Sequence, residues 1–151
     1  MKFFHNNNIL ASLLFLLISI NSAFAIITHI QVPSILLRPG HKFTVKFFTE
    51  NHIIQNAQYY VIFGLQPGTT PPPGSNVGEF VLTSPQGDLV EGHHSVTGHG
   101  SFTVDVTLPK NFPVTGKTEK FVLTAAALQT AGALNGAGVV FFNGIVTIAS
   151  H

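Results

Sequence analysis

Phe47–Gly68 reads FFTENHIIQNAQYYVIFGLQPG, two apolar runs separated by a polar segment and closed by Pro67-Gly68. A strand, a connection and a second, more deeply buried strand read this way in an all-β domain. The second run, Gln58–Leu65, is apolar on both faces, so it belongs in the middle of a sheet. The connection is expected at Thr49-Glu50-Asn51-His52, with Glu50-Asn51 shaping the corner through local side-chain hydrogen bonds. Phe47, Val61 and Phe63 are expected in the core, and no residue of the stretch has the look of a catalytic group.

The flanking chain repeats the pattern. Upstream, Ile26–Gln31 reads as a strand that Pro33 confines to an edge or ends. Ile35–Leu37 is a short apolar run closed by the turn Arg38-Pro39-Gly40. KFTVKFF, beginning at Lys42, alternates Phe43, Val45 and Phe47 against Lys42, Thr44 and Lys46, the period of a half-buried strand. Downstream, Gln66–Asn76 is a Pro/Gly loop whose triple proline, 71–73, is expected to stand off the domain as polyproline II.

Glu79–Thr83 reads as a strand, and Leu89–Gly100 as an irregular Gly/His-rich loop with a short paired piece at Leu89-Val90. Ser101–Leu108 gives the cleanest alternation, with Phe102, Val104, Val106 and Leu108 inward and Asp105 outward as a solvated charge. Lys120–Leu128 (KFVLTAAAL) carries helix-favouring Ala and Leu, yet its β-rich context favours a strand. Gly132–Gly138 reads as a loop and Val139–Ala149 as the last strand, with Asn143-Gly144 marking a bulge or tight turn. Seven or eight short strands joined by Pro/Gly turns predict an all-β, immunoglobulin-like two-sheet sandwich. It would lack the cysteine pair and buried Trp of antibody domains, since the chain has neither residue.

Composition narrows the function classes. Residues 1–25 have the features of a secretory signal peptide: Lys2, the apolar run Ile9–Ile20 and the small-x-small site Ala23-Phe24-Ala25, with cleavage expected after Ala25. The domain is then residues 26–151, and the protein is expected to be secreted. No later run approaches the roughly 20 apolar residues of a membrane span. Seven basic residues stand against six acidic ones, a net charge of +1. So small an excess, without a basic stripe, argues against nucleic acid and anionic lipid as partners. Without cysteine there is no disulfide framework and no thiolate nucleophile, and stability must come from a packed core, which the ten Phe and two Tyr of residues 26–151 are there to build.

Chemistry-bearing groups are sparse. His93, His94 and His99 share one loop and could join Glu91 around zinc or copper, but their spacing fits no site on mechanical grounds, and no cofactor is expected. A copper-dependent oxidative polysaccharide enzyme would need histidine as its first residue, where Ile26 is expected. No G-x-S-x-G elbow is present, and no acid pair is evident for hydrolysis. The chain therefore reads as a monomeric binding module, not an enzyme. Its candidate contacts are two end loops, represented by Pro71, Pro72 and Pro73 and by His93, His94 and His99. A cell-wall or carbohydrate-binding module is the alternative, weakened by having only Tyr59 and Tyr60, and no Trp, for sugar stacking.

Several elements together carry a resemblance. Thr49-Glu50-Asn51, Ile53-Ile54-Gln55, Tyr60-Val61-Ile62-Phe63-Gly64 and the loop through Pro73-Gly74-Ser75, with Arg38-Pro39-Gly40 upstream, resemble the fungal necrosis-inducing secreted protein family. The resemblance implies an effector that suppresses pattern-triggered immunity in plants, some members provoking cell death. It would associate with receptor co-receptor kinases and receptor-like cytoplasmic kinases, outside the host cell or after translocation into it. It assigns no contact residue here.

Overall fold

A computed structural model describes residues 24–96 and 100–150. The proposed leader, up to Ala23, and His99 lie outside the described residues. Seven strands make two antiparallel sheets: β1 (Phe24–Gln31), β2 (Lys42–His52), β3 (Asn56–Pro67), β4 (Phe80–Leu82), β5 (Gly100–Thr107), β6 (Thr118–Ala131) and β7 (Gly136–Ala149). One sheet has the order β1-β2-β5 and the other β4-β3-β6-β7. The all-β, immunoglobulin-like two-sheet sandwich expected from the sequence is the fold observed, and no helix occurs among the described residues.

The alternation drives the packing. Phe43, Val45 and Phe47 of β2 and Phe102, Val104 and Val106 of β5 turn one face inward, toward Val61, Phe63 and Leu65 of β3 and Phe121, Leu123 and Ala125 of β6. Phe47 is the hub. It stacks on Phe102 within its own sheet, with ring centroids 5.0 Å apart, and meets Phe63 of the other sheet edge-on at 6.1 Å. A second aromatic chain, Phe80–Phe112–Phe121, closes the far end in edge-to-face contacts of 5.0 and 5.2 Å. Such pairs contribute about 1 kcal/mol each beyond area burial. Aromatic interdigitation thus supplies the inter-sheet cohesion that a disulfide provides in antibody domains.

Several local expectations change. Thr49–His52 is not a connection but the end of β2, which runs to His52, and each of these four residues pairs with β1. The crossing from one sheet to the other is made by Ile53, Ile54 and Gln55 alone. His52 and Asn56 help to shape it. His52 Nδ1 accepts the Ile54 N–H at 3.2 Å, while Asn56 Nδ2 donates to the Ile54 carbonyl at 2.7 Å. A chain that must leave one sheet and enter another in three residues needs its polar groups satisfied locally, and these two side chains do so.

The triple proline does not stand off the domain: Pro72 is buried between exposed Pro71 and Pro73. Its loop is pulled down where Val77 crosses β3, so that a Cβ on Gly64 would lie 2.4 Å from the Val77 carbonyl oxygen. β4 is only three residues long, shorter than the Glu79–Thr83 expected. The chain then continues along the β3 edge, with the bridge at Asp88, opposite Tyr60, and not at Leu89-Val90.

Asn143-Gly144 is neither bulge nor turn. β6 and β7 pair without a register shift, Leu123 opposite Gly144. Gly144 is instead a contact site, because a Cβ there would fall 2.5 Å from Val32 Cγ1. The β6–β7 hairpin turns at residues 132–135, a tighter loop than Gly132–Gly138, with Gly132 (φ +79°) and Asn135 (φ +49°) taking the left-handed conformation. Ile35–Leu37 contributes one parallel bridge, Leu37 to Ile148.

Candidate functional site

The two outer faces of the sandwich differ in chemistry. On the β1-β2-β5 face stand Lys42, Thr44, Lys46, Thr103 and Asp105. They are tied into a polar surface by the Thr44 hydroxyl donating to Asp105 Oδ1 at 2.8 Å and by the Lys42–Asp105 ion pair at 3.8 Å. Asp105 is thus outward, as expected. Even the aromatic ring there is covered: Phe48 stacks on His29 at 4.4 Å, with Lys46 Nζ 4.8 Å from its centroid.

The outer face of β4-β3-β6-β7 is apolar. The register places Tyr60 beside Leu128 and Val139 in one row, and Ile62 beside Ala126 and Phe141 in the next. Gly64, Thr124 and Asn143 make the third row and Gln66, buried Val122 and Ile145 the fourth, and Val81 lies beside Gly64 across β4. Ile62 is 46% exposed and Ile145 52%. The small residues Thr124 and Ala126 are buried between larger neighbours, and the Thr124 hydroxyl is used up in donating to Asn143 Oδ1 at 2.7 Å. At one margin, Tyr60, Ile62, Val81 and Pro85 surround a hollow of about 540 Å³. A face with this many exposed apolar side chains, on a sandwich whose other face is charged, is a usual mark of a protein contact surface.

The loop contacts proposed from sequence are dispersed. His93 is exposed in the left-handed region (φ +57°), whereas His94 is half-buried and lies on Phe102 with centroids 4.5 Å apart. Partial burial, and secondarily the adjacent His93, hold His94 below the usual histidine value of 6.5. Among the described residues no three His, Asp or Glu side chains converge as a metal site. Pro71 and Pro73 are exposed at the opposite loop, and Pro72 is not available for contact.

A cleft of about 500 Å³ beside His94 is bordered by Asp88, Glu91 and Asp105. Two of these acids have structural duties. Asp88 Oδ1 accepts the Val90 and Glu91 N–H groups at 2.9 and 3.0 Å, and Asp105 is held by Thr44 and Lys42. The segment from Ser84 to Ser95 covers the β3 edge. Val61 N–H donates to the Gly87 carbonyl at 2.8 Å, Leu89 N–H to Tyr59 at 3.0 Å and Gln58 N–H to Ser95 at 2.9 Å. This loop is a strand substitute that satisfies an edge.

Sequence reasoning misses the apolar outer face because both-face apolarity in Gln58–Leu65 points first to burial on both faces. The signal is present in the absence of any segment with helical periodicity to cover that second face. No helix among the described residues is long and apolar enough to cross a membrane.

Comparison with known proteins places these features. No curated protein matches the chain in sequence. Among solved structures, the chain is similar to a cohesin module from a family 33 glycoside hydrolase of Clostridium perfringens, with 15% identity, a TM-score of 0.40, and 85% of this chain and 99% of that one covered. The Nis1 family profile matches residues 23–147, which include all seven strands apart from the last two residues of β7 and take in the TEN element, the YVIFG strand and both candidate loops. The chain therefore belongs to the Nis1 family of necrosis-inducing secreted proteins.

Proposed function

We propose that this protein is a secreted, non-enzymatic effector that suppresses plant pattern-triggered immunity by binding immune receptor-associated kinases, and that the apolar outer face of β4-β3-β6-β7 is the surface it binds with. The observation that carries this reading is the contrast between the two outer faces, found in a chain of the Nis1 family. An apolar face with exposed Ile62, Val81 and Ile145, and with Tyr60 at its margin, supplies the hydrophobic centre and amphipathic aromatic of a protein interface. The structural bonds of Asp88 and Asp105 support a binding role over acid–base chemistry in the neighbouring cleft.

Co-receptor and receptor-like cytoplasmic kinase domains are the partners. Binding would act by obstructing the kinase surface, so no cofactor is required. The test is capture of purified plant receptor-kinase domains by the secreted protein, with autophosphorylation measured alongside. Capture with reduced autophosphorylation is expected; no binding and undiminished autophosphorylation would sink the reading.

A further inference from the structure

The most exposed large aliphatic side chains among the described residues are Ile53, at 97%, and Leu134, at 96%. They stand on adjacent turns at one end of the sandwich, the β2–β3 crossing and the turn of the β6–β7 hairpin, which are tied by the Gly132 N–H donating to the Gln55 carbonyl at 2.8 Å. Ile54, partly exposed, adjoins the second turn: a Cβ on Gly132 would sit 4.0 Å from its Cγ2. Turns ordinarily present polar side chains to water. Here the polar groups are engaged within the turns. The Ile54 N–H is held by His52, the Ile54 carbonyl by Asn56, and the Gly132 carbonyl by the Asn135 N–H at 3.0 Å. What this tip offers outward is aliphatic.

Two further features say what would cover it. β3 shifts register between Gln58 and Tyr60, and at this irregularity two consecutive residues, Tyr59 and Tyr60, are both exposed. They lie roughly 10–13 Å along the strand from Asn56, at the base of the tip. Tyrosine, with an apolar ring and a wet hydroxyl, settles at the headgroup level of a bilayer. Charge is the second feature: residues 51–78 and 121–150 contain no Asp, Glu, Lys or Arg. We propose that Ile53, Ile54 and Leu134 form a membrane-docking tip that inserts into the headgroup–acyl boundary of an uncharged lipid surface, with Tyr59 and Tyr60 as its interfacial collar. The internal bonds of the turns allow this, because an N–H or C=O without a partner is costly once it leaves water. Ile145 shares its row with Gln66, about 33 Å along β3 from Asn56, so that end of the outer face stays clear of the bilayer.

Tyr59 and Tyr60 are the chain's two tyrosines and it has no Trp, so intrinsic emission reports on this site alone. The secreted protein is mixed with phosphatidylcholine vesicles carrying a nitroxide either on the headgroup or deep in the acyl chain. It should sediment with the vesicles at low and high salt alike, with tyrosine emission quenched more by the headgroup nitroxide. Ile53→Ser/Leu134→Ser should keep its Tm and partition at least about tenfold more weakly. Its kinase capture without lipid should be unchanged, whereas Ile145→Glu should bind vesicles normally, so the tip and the kinase-binding face fail separately. No sedimentation with neutral vesicles, binding only when anionic lipid is added, or equal binding by the double variant would overturn the proposal. The last outcome would assign the contact to the outer face or to leader residues that both proteins share. If the double variant is not secreted, the unsubstituted protein decides: quenching without preference for the headgroup nitroxide overturns the proposal.

Discussion

His94 lies flat against Phe102, the planes 14° apart, and so covers one side of a core ring from the Ser84–Ser95 loop. The contact suits a neutral imidazole. Because partial burial and then His93 hold its folded value below 6.5, the unfolded chain takes up the proton first as pH falls. The stability this group supports is present above pH 6.5 and lost as pH falls through the folded value. The thermal midpoint should therefore drop between neutral and mildly acidic pH. The drop should be smaller in His94→Gln, read from matched melting curves of the two proteins.

Gly64 marks the place where the proline loop returns over β3. A Cβ there would stand 2.4 Å from a backbone oxygen, which cannot rotate away. Gly64→Ala should destabilise by about 1–3 kcal/mol in denaturant unfolding, the cost of overpacking. Gly144→Ala meets a side chain instead, Val32, so its loss should be recovered largely in the double variant with Val32→Ala.

The strand framework was legible because its period was clean. Phe43–Phe47 and Phe102–Leu108 alternate without interruption, and their burial follows the pattern residue by residue. What the sequence hid were features set by distant partners. Thr49–His52 looks polar enough for a loop, yet β1 pairs with it; Asn143-Gly144 looks like a turn, yet the glycine makes room for Val32. The candidate loops were half legible, since nothing local announces that Pro72 is buried or that His94 rests on Phe102. The apolar outer face was concealed by an ambiguity of principle: a strand apolar on both sides does not say whether the second side is covered by its own chain or by another protein.

If the outer face carries binding, charge placed on it should weaken binding without unfolding the domain. Ile62→Lys and Ile145→Glu replace half-exposed side chains on paired strands, so the melting midpoint should change by no more than about 2–3 °C. Kinase capture should weaken by at least about tenfold, the scale of a central interface residue. Lys46→Glu on the opposite face should leave capture unchanged. Titration of each variant against the same kinase domain separates these outcomes.

Glu119 organises the chain entering β6. Its Oε1 accepts the Thr115 hydroxyl and the backbone N–H groups of Thr115 and Gly116, both at 2.9 Å. The Thr115 hydroxyl chiefly holds its carboxyl below the usual 4.5; desolvation acts the other way, and the two backbone bonds reinforce the lowering. Its contribution is thus complete above pH 4.5 and lost as pH falls through the lower folded value. Amide exchange at Thr115 and Gly116 should accelerate on acidification below that range. In Glu119→Gln, exchange should be faster at neutral pH and lose this acid-dependent step.

The sheet order has a consequence for how the molecule comes into being. β3 leaves the ribosome long before β6, the strand it pairs with over eleven positions, and β7 is later still. Until then the apolar run Tyr60–Leu65 has only the three residues of β4 and the edge-covering loop beside it. The β6–β7 hairpin, closed by a four-residue turn and aligned without a register shift, is by contrast local and quick to pair. Folding is therefore timed by the arrival of the carboxyl-terminal hairpin, which must dock onto a strand that has been waiting. A chain stopped before Thr118 would leave the β3 edge that β6 takes up open to any chaperone or neighbouring chain it met.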